Sequence, residues 1–238
     1  MNVPWDRYQS DLLAALLKKL EYTILGFLGA VLLGLLLALM RRSTTRVVRL
    51  PAAVYTELFK NVPLLAIIFI TYFGLGSTGV RLSALAAGSL SLVIFYAAYL
   101  SEIFRSALGG VPAGQQEGAQ ALGMSRLRAF GQVILPQALR LALPGTSTML
   151  VDLLKSTSLL VTIAAGELMS QAQLISSETF RAMEVYLVIA AIYFAVCYPL
   201  SQLLLLLERK VQAGTPLAPG RRRRMAKAKA LLQAGAGA

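Results

Sequence analysis

Long apolar stretches without charge alternate with short polar ones along this chain of 238 residues. Four stretches contain no Asp, Glu, Lys or Arg: residues 22–40, 61–80, 82–101 and 185–207. Each is about as long as the 20 residues that a helix needs to cross a bilayer. A fifth stretch, residues 141–166, is interrupted only by Asp152 and Lys155. The pattern predicts an all-α, polytopic membrane protein with about five transmembrane helices.

The composition supports a membrane location. Hydrophobic residues make up 57% of the chain and charged residues 14%, with a mean hydropathy of +0.67, which is outside the range of soluble domains. The net charge of +12 does not indicate nucleic-acid binding, because most basic residues flank the spans and no basic groove with interleaved aromatic residues is evident. We expect contact with membrane lipid and none with nucleic acid.

The Lys and Arg residues predict the orientation, since cytoplasmic loops carry an excess of them. Five spans place the two termini on opposite sides of the membrane. With the N-terminus outside, the cytoplasmic segments hold sixteen of these residues. The outer segments hold five: Arg7, Lys18, Lys19, Arg81 and Arg181. The charges therefore favour an outer N-terminus and a cytoplasmic C-terminus.

Three regions follow from this pattern. Residues 1–19 are predicted to form an outer amphipathic segment, and residues 20–210 the transmembrane domain. Residues 211–238 contain mainly Gly, Pro and Ala with a run of four Arg, which predicts a basic, disordered cytoplasmic tail suited to anionic lipid.

The sequence offers no catalytic site. It contains no G-x-x-x-x-G-K-[ST] phosphate-binding motif, no Ser, His and Asp set, and no His at all. The single cysteine, Cys197, is predicted to be a packing residue. We expect no catalytic residue, no metal site and no cofactor in this chain, so that any energy supply must come from another subunit.

A polar, Gly-containing segment at residues 117–136 (EGAQALGMSRLRAFGQVILP) stands out between the apolar spans. Pro112 suits the first position of a helix, Gly123 the left-handed residue after its end, and Ser125 the cap of a second helix that stops before Pro136. The second helix has an apolar face that is predicted to lie against the membrane-embedded spans: Leu127, Phe130 and Ile134. The segment is typical of a docking arm for a soluble partner.

This segment resembles the EAA loop of ATP-binding-cassette (ABC) importer permeases. The pattern of that loop is E-A-A, three residues, G, nine residues, I-x-L-P, and the spacing agrees throughout, with Gly118 and Val133 as the two departures. Flanking segments resemble the polar amino acid branch of the family: residues 55–65 (YTELFKNVPLL), 72–74 (YFG), 98–105 (AYLSEIFR), 114–116 (GQQ), 135–140 (LPQALR) and 154–160 (LKSTSLL). The resemblance covers about residues 20–210.

The resemblance implies the permease subunit of an ATP-driven importer with the type I fold, in the inner membrane of a bacterium. It implies a second permease subunit, identical or different, and a cytoplasmic ABC ATPase that would hold ATP and Mg²⁺. It also implies an extracytoplasmic binding protein that delivers a polar amino acid. The ATPase-coupling loop would consist of Glu117, Gly118, Ala119, Gly123, Leu135 and Pro136.

The fourth span carries two charges that are costly in a bilayer. Asp152 and Lys155 together cost about 5 to 7 kcal/mol, whereas the ten Leu, Ile and Val residues between positions 141 and 163 return only about 3 to 6 kcal/mol. The span should therefore face protein or a water-filled path. The two charges are three residues apart and can pair, and a structural pair and a role in the path are both open.

Our hypothesis is that Asp152, Lys155 and the three hydroxyls that follow line the path and meet a zwitterionic amino acid: Ser156, Thr157 and Ser158. The alternative is a self-sufficient secondary carrier or channel for a small polar solute, which should show inverted repeats or a ring of pore-lining charges. No internal repeat is evident. Which amino acid is carried is left open, because a binding protein would select it first.

Overall fold

The computed structural model describes residues 3–213, and within this part no β-strand occurs. Its α-helices are α1 (Trp5–Arg41), α2 (Arg46–Asn61), α3 (Leu64–Phe69), α4 (Leu75–Ser77), α5 (Ala84–Gly109), α6 (Ala113–Ala121), α7 (Arg126–Ala129), α8 (Leu135–Ser156), α9 (Leu168–Thr179) and α10 (Ala182–Ala213). The all-α prediction is confirmed. Of the predicted tail, residues 214–238 lie outside the described part, and residues 211–213 end α10.

Three irregular helical turns connect these helices. A π-helical turn at Ile70–Gly74 joins α3 to α4, and another at Phe130–Ile134 joins α7 to α8. A 3₁₀ segment, Thr157–Ile163, continues α8 with a tighter winding. Such turns leave the helical path continuous while they change which side chains share a face.

Three helices of the described part are long and apolar enough to cross a membrane alone: Trp5–Arg41, Ala84–Gly109 and Ala182–Gln212. Two bent pairs meet the same test. Arg46–Asn61 and Leu64–Ser77 meet at 107°, and Arg126–Ile163 and Leu168–Thr179 meet at 50°. If each pair counts as one span, the number agrees with the prediction of about five.

The second predicted span, residues 61–80, begins at a sharp bend. Helix α2 ends there, at Asn61, and meets the helical segment Leu64–Ser77 at 107°. The break follows Asn61, where Val62 is extended (φ −98°, ψ 131°) and Pro63 follows. A residue before proline is disfavoured in the helical region, so this dipeptide ends α2 and turns the chain into α3.

Helices α1 and α5 form a tight parallel pair. A Cβ atom at Gly29 would lie 2.5 Å from Cγ2 of Val93, and one at Gly34 would lie 2.9 Å from Cβ of Leu100. Only the missing side chains allow the backbones to come this close, as is common between membrane helices. Near the end of α1, Nη1 of Arg41 donates to the Glu102 carboxylate of α5 at 2.6 Å.

The first turns of the chain belong to α1 and do not form a separate element. Helix α1 is continuous from Trp5, so most of residues 1–19 extends the first span. The Tyr8 hydroxyl donates to Oε2 of Glu178 at 2.8 Å, and Tyr8 packs in a cluster with residues of α9 and α10. The beginning of α1 is therefore held against the helices at the other end of the chain.

Lys19, one of the five basic residues assigned to the outer segments, is fully buried. Its Nζ donates to the carbonyl of Leu154 and, at 2.9 Å, to Oγ1 of Thr157. The same Nζ lies 3.8 Å from the centroid of the Tyr193 ring, within the range of a cation–π contact. The buried ammonium is accommodated because α8, the 3₁₀ segment and α10 each supply a group that stabilises a cation.

Glu167 completes this arrangement and is also fully buried. It caps α9, because its carboxylate accepts hydrogen bonds from the backbone N–H of Met169 and of Ser170, each at 2.9 Å. The Tyr193 hydroxyl lies 3.4 Å from Oε2 of Glu167, so Tyr193 stands between the buried cation and the buried carboxylate. We call Lys19, Thr157, Glu167 and Tyr193 the buried polar cluster.

The buried polar cluster predicts a stability difference between two neighbouring lysines. Lys19→Met should lower the free energy of unfolding by about 1 to 3 kcal/mol, because the Leu154 carbonyl and Thr157 lose their donor. Lys18→Met, at an exposed position, should change it by less than about 0.5 kcal/mol. Denaturant or thermal unfolding of both variants in one detergent measures the difference, and equal effects would contradict a structural role for Lys19.

Candidate functional site

The segment between α5 and α8 begins one residue later than predicted. Pro112 has φ −58° and ψ 135°, so it precedes α6, whose first residue is Ala113. Its extended ψ angle is the reason that it caps the helix from outside. The backbone N–H of Gln115 donates to the Pro112 carbonyl at 3.0 Å, which starts the first turn.

Helix α6 ends as the sequence predicts, with Gly123 in the left-handed region at φ 81°. The N–H of Gly123 donates to the carbonyl of Gln120 at 2.9 Å, and the N–H of Met124 donates to that of Ala119 at 3.1 Å. These two bonds form a Schellman motif, in which glycine is favoured because a Cβ atom would be strained. The chain therefore makes a fixed, sharp turn at Gly123.

The second helix of the segment does not stop before Pro136, so that expectation is wrong. Ser125 caps α7, and the chain then passes through the π-helical turn into α8, which carries Pro136 in its first turn. Proline lacks an N–H and crowds the carbonyl four residues before it. The wider turn needs no such bond there, so the helix continues through Pro136.

The apolar face predicted for the second helix of this segment is confirmed at two of its three positions. Phe130 and Ile134 pack against Leu108 and Val111 at the end of α5, as expected. Leu127 was expected on the same apolar face, but it is 82% exposed, and Ala129 is buried instead.

The other residues predicted for the ATPase-coupling loop divide between surface and core. Glu117 and Gly118 are exposed, as is Leu122 at 85%, whereas Ala119 is buried. Leu135 is half-buried and Pro136 is exposed at the start of α8. We call Glu117, Leu122 and Leu127, with the exposed Arg126 and Arg128, the loop surface.

The loop is tied directly to α8. Nε2 of Gln137 donates to Oε1 of Gln115 on α6 at 3.1 Å and to the carbonyl of Val133 at 2.9 Å. The first of these bonds links α6 to the first turn of α8. Helix α8 also carries the charges that the sequence analysis assigned to the path.

A cleft of about 290 Å³ lies along the seam between α8 and α10. Of the five residues predicted for the path, Asp152 and Lys155 line it. The other lining residues are Ser147, Thr148, Val151, Ser201, Leu204, Leu205 and Glu208. Thr157 is instead part of the buried polar cluster, and Ser158 lies next to Tyr193. The structure thus brings together the two charges in the cleft and places Thr157 and Ser158 outside it.

Asp152 and Lys155 do not pair with each other, since no ion pair within 4 Å joins them in residues 3–213. The buried Tyr96 hydroxyl donates instead to Oδ2 of Asp152 at 2.8 Å. Oγ of Ser156 lies 2.8 Å from the Tyr96 oxygen, and because that hydroxyl has one proton, Ser156 must be the donor. Tyr96 therefore joins α5 to two residues of α8.

Lys155 stands between the cleft and a second cavity of about 380 Å³. The second cavity is lined by Lys155 and by residues of α10: Tyr193, Phe194, Cys197, Tyr198 and Ser201. Neither a hydrogen bond nor an ion pair engages the Lys155 ammonium anywhere in residues 3–213. An unpaired cation is thus presented to both cavities.

Helix α10 contributes residues to the cleft that were not predicted. Ser201 and Glu208 are seven residues apart, which places them on one helix face, and the same spacing separates Thr148 and Lys155 on α8. This shared spacing is the signal in the sequence that could have indicated them. No group of His, Cys, Asp and Glu in the described part could hold a metal ion.

Comparison with known proteins identifies the family. Residues 30–213 match the model of the binding-protein-dependent transport system inner membrane component. The probable amino-acid ABC transporter permease protein YckA of Bacillus subtilis (strain 168) is 36% identical over 198 residues, which are 82% of this chain and 88% of YckA. The octopine transport system permease protein OccM of Rhizobium meliloti is 38% identical over 215 residues, 86% of each chain.

Solved structures agree in fold. A crystal structure of an amino acid ABC transporter with histidines superposes with a TM-score of 0.82 at 35% identity, over 88% of this chain and 99% of the other. The inward-facing MetNI methionine ABC transporter gives a TM-score of 0.71 at 17% identity, over 89% and 99%, and shows the fold alone.

In this family the permease is a multi-pass protein of the inner membrane, and the ATPase of the transporter is a separate subunit. The matched residues include the loop between α5 and α8, the cleft and all of α10. The chain belongs to the family of binding-protein-dependent transport system inner membrane components, and it is the permease subunit of an ABC importer.

Proposed function

We propose that this permease translocates an amino acid, delivered by an extracytoplasmic binding protein, through a path that includes the cleft between α8 and α10. The observation that carries the proposal is the separation of Asp152 from Lys155 within one cavity. A carboxylate and an ammonium that do not neutralise each other suit a zwitterion, which brings one charge for each. Several relatives are named for amino acid transport, which supports the same substrate class.

The proposed contacts assign a role to each predicted path residue. Lys155 meets the α-carboxylate, and Asp152 meets the α-ammonium with the oxygen that Tyr96 leaves free. Ser156 acts through Tyr96, whereas Thr157 and Ser158 hold the 3₁₀ segment against Lys19 and Tyr193.

The proposed topology places the N-terminus outside and the C-terminus in the cytoplasm, supported by the Lys and Arg distribution. The loop surface then faces the cytoplasm, where an ABC ATPase with its ATP and Mg²⁺ would bind. The segment around α9 faces outward, toward the binding protein.

In the proposed coupling, Glu117 and Gly118 meet the ATPase together with the exposed Leu122 and Leu127, while Ala119 anchors α6. Gly123 fixes the turn, and Leu135 and Pro136 mark where the chain enters α8. Because Gln137 joins α6 to α8, closure of the ATPase moves the helix that carries Asp152 and Lys155.

A second permease subunit, identical or different, is part of the proposal. The charges of the cleft are exposed on the side of this chain, and charges facing lipid are costly. A second subunit over the seam would enclose the cleft in protein. The alternative of a self-sufficient carrier or channel is not favoured, since the relatives are ABC transporter permeases.

Substitutions in the loop should separate the permease from its ATPase. When the tagged complex is purified from its native membrane in mild detergent, Glu117→Lys and Gly123→Asp should retain about tenfold less ATPase than wild type. The first reverses an interface charge, and the second strains a turn at φ 81°. Gly131→Asp is the matched control, because Gly131 is exposed on the same segment without a positive φ.

Quantitative mass spectrometry and ATP hydrolysis of the eluted complexes measure this loss. If wild type itself carries no ATPase, and the purified chain alone moves a solute in liposomes, the carrier alternative is correct.

Charge at Lys155 should be needed for transport. The test uses liposomes that contain the whole transporter and its binding protein. Lys155→Met should reduce amino acid uptake per complex by about tenfold, because the substrate loses one charge-assisted hydrogen bond. Lys155→Arg keeps the charge and should retain most uptake, and Lys18→Met is the control at an exposed site. Full uptake by Lys155→Met, with the ATPase still bound, would exclude Lys155 from the path.

A further inference from the structure

The cleft between α8 and α10 contains a second carboxylate, Glu208, that the proposed zwitterion does not use. Lys155 and Ser201 line both the cleft and the second cavity, and from there the lining runs back along α8 to Ser147 and forward along α10 to Glu208. The two helices are therefore antiparallel at the seam, and Lys155 and Glu208 lie toward opposite ends of it. The seven residues from Ser201 to Glu208 span about 10 Å of helix. Lys155 and Glu208 are therefore separated by a distance that a ligand with a long side chain can bridge.

Glu208 has no side-chain partner among residues 3–213. It is half-buried, and no hydrogen bond or ion pair to it occurs in residues 3–213. The cleft therefore presents one ammonium and two carboxylates, a formal charge of −1, with Asp152 held by Tyr96 at one oxygen only. A zwitterion would neutralise Asp152 and Lys155 and leave Glu208 unpaired.

Ser147 supplies an independent indication of a missing ligand. Its side chain is 6% exposed, and its hydroxyl has no hydrogen-bond partner, although the cleft is open beside it. Its neighbours behave differently, because Thr146 donates to the Ala142 carbonyl at 2.9 Å and Thr148 to the Pro144 carbonyl at 3.0 Å. Buried hydroxyls are normally paired, so the Ser147 oxygen is available to a group that enters the cleft.

We infer that the cleft selects an amino acid with a long, cationic side chain. The α-carboxylate binds Lys155, the α-ammonium binds Asp152, and the distal cation binds Glu208 and donates to the Ser147 hydroxyl. Every charge of the ligand then meets an opposite charge, and the unpaired hydroxyl gains a donor. A neutral side chain would leave Glu208 unpaired, and an acidic one would place two carboxylates together. The inference rests on the proposed function and adds the substrate class.

The test measures binding to the permease itself, because a binding protein imposes its own selection. The intact complex of permease and ATPase, purified without the binding protein, is titrated with radiolabelled L-lysine, L-arginine, L-glutamine and L-glutamate. Lysine and arginine should bind about tenfold more tightly than glutamine, and glutamate should bind most weakly. Glu208→Gln should lower lysine affinity to that of glutamine, while Arg209→Gln, the exposed neighbour, should not.

A second pair of variants tests Ser147 without removing a charge. Ser89 is the other buried hydroxyl without a partner in the described residues, and it does not line the cleft. Ser147→Ala should weaken lysine binding by about threefold or more, whereas Ser89→Ala should leave it unchanged. The ATPase recovered with each variant reports on assembly, so a folding defect is recognised separately.

The outcomes separate this inference from the proposed function. If the wild-type complex binds lysine and glutamine equally, or if Glu208→Gln retains the preference for lysine, the cationic selectivity is wrong. Amino acid binding that still depends on Lys155 would leave the proposed function standing. A complex that binds none of the four amino acids would overturn both.

Discussion

The arrangement of the second half of this protein depends on a single buried ammonium group. Lys19 lies in α1, yet it contacts the end of α8, the 3₁₀ segment and the Tyr193 ring of α10. A charge inside a membrane protein costs about 2.5 to 3.5 kcal/mol on insertion scales, and it persists only where neighbours replace water. Here a carbonyl, a hydroxyl, an aromatic face and the nearby Glu167 do so. Two of these contacts, to Leu154 and Thr157, lie where α8 ends and the 3₁₀ segment begins.

The end of α8 divides polar side chains between the cleft and the buried polar cluster. Thr157 follows Lys155 by two residues, about 200° around a helix, so the two side chains lie on nearly opposite faces. The Thr157 hydroxyl contacts Lys19, while Lys155 remains at the cleft. Tyr96 engages Asp152 at one oxygen, and no ion pair joins Asp152 to Lys155 in residues 3–213. The surroundings of the two charges thus depend on contacts made by residues far away in the chain.

Local patterns were sufficient for the spans and for the turn at Gly123, because hydrophobic length and backbone conformation are properties of short segments. The break after Asn61 was also readable, since Pro63 restricts the residue before it. The continuation of the helix through Pro136 could not be predicted, because the sequence does not distinguish a helix end from a π-helical turn. Burial of Lys19 depends on Leu154 and Thr157, more than 130 residues away. No local pattern reports such a contact, and for the same reason the seam between α8 and α10 was missed.

Helix α8 is the physical connection between the loop surface and the cleft, and its sequence suggests how motion passes along it. Pro144 lies between the two and removes one backbone hydrogen bond from the helix. The next residue, Gly145, is packed so closely on α5 that a Cβ atom would lie 3.0 Å from Cγ2 of Ile103. The missing hydrogen bond at Pro144 weakens the helix, while the close contact of Gly145 with Ile103 holds it in place. Together they favour bending of α8 at this point over sliding of the whole helix. In the proposed coupling, a pull on Gln137 would therefore tilt the first turns of α8 about Gly145. The turn that carries Asp152 and Lys155 would follow only as far as Tyr96 and Lys19 permit, so the two buried contacts set the range over which the cleft can respond to the ATPase.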